Sequence, residues 1–106
     1  ASDVYKRQLQ SVRARYLAHV LRRIQMVKFY PAEARRGRRQ GTVKVRFTVL
    51  RDGSVTGLSV THSSGHAVLD GAALATVKRA APFGAIPAEL GVGRLDIVVP
   101  IVYRLR

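Results

Sequence analysis

Apolar residues at Tyr5, Leu9, Val12, Tyr16, Val20, Ile24 and Val27 recur in steps of three and four, which predicts one amphipathic helix over 4–28. Leu17 and Leu21 widen the stripe, while Arg7, Arg15, Arg22 and Arg23 sit mostly away from it. Ser2 or Asp3 can cap its start. Pro31 disfavours a helical Tyr30, so this helix must stop near Lys28. The simplest use of the stripe is as a face docked on the domain's own sheet. A helix lying on a membrane surface is the sharper alternative.

The period then changes. Pro31 suits the first position of a second, short helix ending at Gly37, with Arg35, Arg36, Arg38 and Arg39 around its exit. Cations are favoured there by the unpaired carbonyls, although four arginines exceed what a cap needs. From Thr42 to Leu50 the chain alternates: Val43, Val45, Phe47 and Val49 point one way, and Thr42, Lys44, Arg46 and Thr48 the other. That is a strand with one face on a core and one in water. Asp52-Gly53 is expected to supply the positive φ angles of a tight hairpin. The returning strand reads through Leu58, Val60 and His62, with an irregularity or bulge expected at Gly57. Ser63-Ser64-Gly65 ends it, and Leu69, Ala73, Val77 and Ala80 mark a helix that Pro82 stops.

A loop holding Gly84, Pro87, Gly91 and Gly93 leads to a last strand, Arg94–Leu105, with Leu95, Ile97, Val99, Ile101, Tyr103 and Leu105 on its inward face. Pro100 has no amide hydrogen, so it should aim that missing donor away from any neighbouring strand. Main-chain direction alternates along a strand, so Val98, Val102 and Arg104 would also aim outward. The last strand is therefore predicted to be an edge, which makes it a docking device for other strands. The expected fold class is α+β. It is a two-layer single domain, 1–106, in which a three-stranded antiparallel sheet (hairpin plus C-terminal edge strand) packs with helices. An extra N-terminal helix over 4–28 precedes a core of 30–106.

Composition adds a charge imbalance. Nineteen Lys and Arg face six Asp and Glu. Eleven of those cations precede Gly41, against the two acids Asp3 and Glu33. Such a half favours anionic partners (nucleic acid, membrane head groups or an acidic protein surface) or is simply a solvated helix face. Cysteine is absent, which removes disulfides and thiol chemistry without fixing a compartment. No apolar run reaches the ~20 residues of a membrane span, and no signal sequence is visible.

Candidate chemistry is thin. His62 and His66 straddle a Ser-Ser-Gly loop and have no third ligand, so a metal pair is a poor reading, as is an activated Ser63 or Ser64. His19 reads as a polar-face residue of the first helix. The acids Asp3, Glu33, Asp52, Asp70, Glu89 and Asp96 form no acid/base pair, and no phosphate-binding glycine loop occurs. We expect no enzyme, no cofactor and no metal. A basic nucleic-acid-binding module without enzymatic activity is the alternative function. Against it, the exposed face of the first strand offers no aromatic platform for bases, and Phe47 points inward.

The pieces Tyr30–Arg36 (YPAEARR), Gly41–Val55 (GTVKVRFTVLRDGSV), Val60–Gly65 (VTHSSG), Leu69–Leu74 (LDGAAL), Ala81–Phe83 (APF) and Val98–Arg106 (VVPIVYRLR) occur in an order that resembles one family. It is the C-terminal periplasmic domain of TonB-type energy transducers, and the resemblance covers about Lys28 to Arg106. It implies an inner-membrane anchor and linker upstream, a place in the periplasm of a Gram-negative bacterium, and inner-membrane motor partners of the ExbB/ExbD type. It also implies that the domain grips the TonB box peptide of a TonB-dependent outer-membrane receptor, in siderophore, heme or protein transport. In the family that peptide adds as a strand to the last β-strand. The implied peptide-binding residues are Lys28, Phe29, Tyr30, Val98, Val99, Pro100, Ile101, Val102, Tyr103 and Arg104. Lys28-Phe29 stands where a glutamine-containing run is usual, a departure that bears on receptor choice and fits a transducer dedicated to one uptake system.

Overall fold

The computed structural model describes residues 2–105, with side chains described from residue 4. It is an α+β domain in element order α1 (Ser2–Val27), α2 (Ala32–Arg36), β1 (Gly41–Leu50), β2 (Val55–His62), α3 (Ala67–Ala80), a 3₁₀ turn at Ala88–Leu90, and β3 (Arg94–Tyr103). The side chains of Ser2 and Asp3, expected as caps of α1, lie outside the described residues. No described helix is long and apolar enough to cross a membrane.

The sheet is antiparallel with strand order β2-β1-β3. β1 pairs with β3 along its whole length, from Gly41 opposite Tyr103 to Leu50 opposite Arg94. Its pairing with β2 is shorter and is shifted between Arg46 and Thr48. That shift is the irregularity or bulge expected at Gly57, whose φ of 65° lies in the left-handed region. Alternation is obeyed on both long strands. Val43, Val45, Phe47 and Val49 are buried, as are Leu95, Ile97, Val99, Ile101 and Tyr103. They meet Leu69, Ala73, Val77 and Ala80 of α3 and Tyr16, Val20 and Ile24 of α1 in one core.

The hairpin differs from the two-residue form that Asp52-Gly53 suggests. Four residues, Arg51 to Ser54, connect the strands, and of the Asp-Gly pair Gly53 alone has positive φ, at 90°. Asp52 instead accepts hydrogen bonds from the Ser54 amide at 3.0 Å and the Ser54 hydroxyl at 2.6 Å. The wider turn is tied to the loop after α3, because the Phe83 amide donates to the Gly53 carbonyl at 2.9 Å and the Ile86 amide to that of Arg51 at 3.0 Å. Phe83 thereby stacks on Phe47 inside the core.

The stripe of α1 docks over only part of its length. Tyr16, Val20 and Ile24 are buried, Leu9 and Val12 are half-buried, and Tyr5 is 61 % exposed. Periodicity identifies the apolar face of a helix but not how far its neighbours extend. The docked half is held from one flank. His19 Nε2 meets the Phe83 carbonyl at 2.6 Å, and the Arg23 guanidinium donates to the Ala80 carbonyl at 3.0 and 3.1 Å. His19 is thus half-buried and clasps the loop after α3, a role its position on the polar face did not suggest.

Candidate functional site

β3 carries β1 on one side and, among the described residues, no strand on the other. Its main-chain direction follows from its partner. The Lys44 carbonyl accepts a hydrogen bond from the Thr61 hydroxyl of β2, so Lys44 turns its polar groups away from β3. Lys44 stands opposite Pro100. Pro100 therefore needs no donor toward β1, and its main chain aims outward together with those of Val98 and Val102, as hydrogen-bond accounting expected. Val99, Ile101 and Tyr103 have the opposite parity. Their main chains serve the β1 ladder and their side chains are buried on the helix side of the sheet, where Val99 lines the groove described below.

The residues before α2 divide. Lys28 reaches across the end of β3, its ammonium donating to the outward Val102 carbonyl at 2.9 Å with the Tyr103 ring 5.9 Å from it. Tyr30 packs edge-on against Tyr103, ring centroids 5.3 Å apart, and its hydroxyl donates to the Arg39 carbonyl. Phe29 turns the other way, its ring 4.7 Å beneath the Arg79 guanidinium of α3. Lys28 and Tyr30 thus gather with Val102 at one end of the edge, and Phe29 does not join them. Arg104 lies just beyond the strand, where the Leu105 amide donates to the Gln40 side chain at 2.9 Å.

The edge also has a flank that the sequence did not indicate. A groove of about 260 Å³ runs between Asp96–Pro100 of β3 and Arg13, Leu17 and Leu21 of α1. Asp96 is exposed there, and the hydrogen bond from the Thr48 hydroxyl, with Arg94 and Arg46 near, holds its carboxyl below the usual carboxylate range.

The other candidate chemistry resolves into structure. Asp70 accepts from both Ser63 and Ser64 hydroxyls and from the Ser64 amide at 2.9 Å, so the serines donate to an acid and are not activated by a base. His66 Nδ1 faces Arg39 at 3.2 Å while His62 is exposed. The open face of β1 presents Lys44 and Arg46, and Phe47 is wholly buried, so that face has no stacking platform for bases.

Comparison with known proteins agrees with this architecture. The chain is 34 % identical over 90 residues to the protein TonB of Pasteurella multocida, covering 85 % of this chain and 34 % of that protein. It is 37 % identical over 86 residues to the protein TonB of Pseudomonas putida, covering 80 % and 35 %. The chain thus spans about a third of the length of these relatives. Among solved structures, the solution structure of the Helicobacter pylori TonB C-terminal domain superposes with a TM-score of 0.75 at 32 % identity, covering 87 % of this chain and 82 % of that one. The HasB C-terminal domain superposes with a TM-score of 0.55 at 37 % identity, over 86 % and 70 %. Residues 26–105 match the family described as Gram-negative bacterial TonB protein C-terminal, and the chain belongs to that family.

Proposed function

We propose that this domain is the receptor-docking part of a TonB-type energy transducer. It binds the TonB box of an outer-membrane receptor as an added strand on the outer edge of β3. In this reading the domain works in the periplasm, and inner-membrane motor proteins of the ExbB/ExbD type act on other parts of the transducer. The observation that carries the proposal is the open edge itself: Val98, Pro100 and Val102 aim their main chains outward from a strand that has no second neighbour among the described residues. Family membership supports the transducer role.

Strand addition relies on main-chain hydrogen bonds, so it tolerates varied peptide sequences and draws modest selectivity from alternate side chains. One strand buries little area, which favours weak, transient pairing. Such pairing suits a coupling that forms, transmits force along the strand and releases. Pro100 leaves one rung without a donor, so a bound strand gains an acceptor but no N–H at that position. Lys28 already occupies the Val102 carbonyl, which confines a full rung to the stretch around Val98.

Val98→Pro in the full transducer tests the reading, because it removes an outward amide and leaves the β1 ladder intact. The variant should keep its thermal unfolding profile. It should lose receptor crosslinking and active uptake by about tenfold, the effect of one hydrogen bond of ~1.4 kcal/mol. A folded variant with unchanged crosslinking and uptake would overturn the proposal.

A further inference from the structure

Resting on that reading, we infer that α1 forms the second wall of the peptide site: Leu17 and Leu21 hold apolar side chains of the docked strand, and Arg13 meets a carboxylate on it. Residues 13, 17 and 21 are four apart and share one stripe of the helix. The stripe lies on the flank opposite His19 and Arg23, which fasten α1 to the end of α3. The fastened flank fixes the helix, and the free flank borders the groove along Asp96–Pro100.

A strand added to β3 continues the sheet on the side where this flank stands. Its residues alternate between the open face and the helix face, and those on the helix face meet Leu17 and Leu21. The helix wall is apolar and solvated in the free domain: Leu21 is 40 % exposed and Leu17 is half-buried. Among the described residues lining the groove Arg13 is the one cation, and the one acid, Asp96, is bonded to Thr48 on the open face of the sheet, so the helix wall itself complements an anionic group on the occupant. The occupant that fits is an extended peptide with apolar residues at alternate positions and one acid. Exposure of the same leucines to a second copy of this chain would instead give a dimer.

The probe is a panel of ten-residue synthetic peptides alternating valine and threonine, with a single glutamate moved along the series and glutamine controls. Leu21→Ser should weaken the best peptide about fivefold to tenfold, as partial loss of a buried leucine contact predicts. Leu17→Ser should act in the same direction if it folds, and the more exposed Leu21 keeps the test valid if it does not. Arg13→Glu should erase the preference for glutamate over glutamine. Val98→Pro is the separate control on strand addition. If Val98→Pro binds as wild type does, the strand-addition reading falls. If Val98→Pro loses binding while Leu21→Ser and Arg13→Glu bind as wild type, the α1 wall is overturned and that reading stands. Failure of every peptide to bind wild type overturns both, and concentration-dependent sedimentation abolished by Leu21→Ser would assign the leucines to self-association instead.

Discussion

Gly53 lies in close contact with the loop after α3, whose Phe83 amide donates to its carbonyl. Its φ is 90°, and a Cβ there would lie 2.4 Å from the Gly84 carbonyl oxygen. Gly53→Ala should therefore cost about 2–3 kcal/mol, combining backbone strain with displacement of the loop that carries Phe83. Denaturant unfolding measures this, and a loss below about 1 kcal/mol would mean the loop moves aside freely. Asp70 offers a second test. Partial burial works to raise its pKa, but hydrogen bonds from Ser63 and Ser64 outweigh it and hold the carboxyl below its ordinary value. A carboxyl lowered in the folded state stabilises above the unfolded value, about 4, and that contribution is lost as pH falls toward the folded one. Stability should decline below about pH 4, and Asp70→Asn should flatten that acid limb. An acid limb unchanged in the variant would assign it to other carboxylates.

Elements were legible in the sequence wherever alternation and punctuation agreed. The alternating valines of β1, the parity of β3 and the missing amide of Pro100 together gave the sheet and its free edge. Contacts between residues far apart in the chain were not legible. The Lys28 ammonium on the Val102 carbonyl, His19 on Phe83 and the Arg13–Leu17–Leu21 flank depend on where α1 comes to rest, which no local period encodes. Phe29 shows the same limit, since neighbours in sequence divided between β3 and α3. For the edge itself the prediction is specific. Pro100→Ala restores an amide that points to solvent, so stability should change by less than about 0.5 kcal/mol. The new donor also completes the edge, so self-association should rise. Thermal unfolding and sedimentation report the two quantities. A large stability change without added association would place Pro100 inside the hydrogen-bonded ladder.

On the scale of the molecule, a net charge of +13 sits on a body 55 × 24 × 22 Å across, with most cations in or near α1 and α2. The length comes largely from α1, whose 26 residues span about 39 Å at 1.5 Å each, with its early turns exposed. The helix layer is thus basic along its length, and the docked half of α1 is fastened over the sheet beside the free edge of β3. This arrangement favours acidic partners and leaves the edge of β3 accessible. In the proposed function a receptor peptide pairs with that edge. The most direct test is backbone amide mapping while a TonB box peptide is titrated into isotope-labelled protein. Amides of Val98, Val102 and Arg104 should shift more than those of Val43–Val49 on the interior strand. Equal shifts on both strands, or none on β3, would contradict the account.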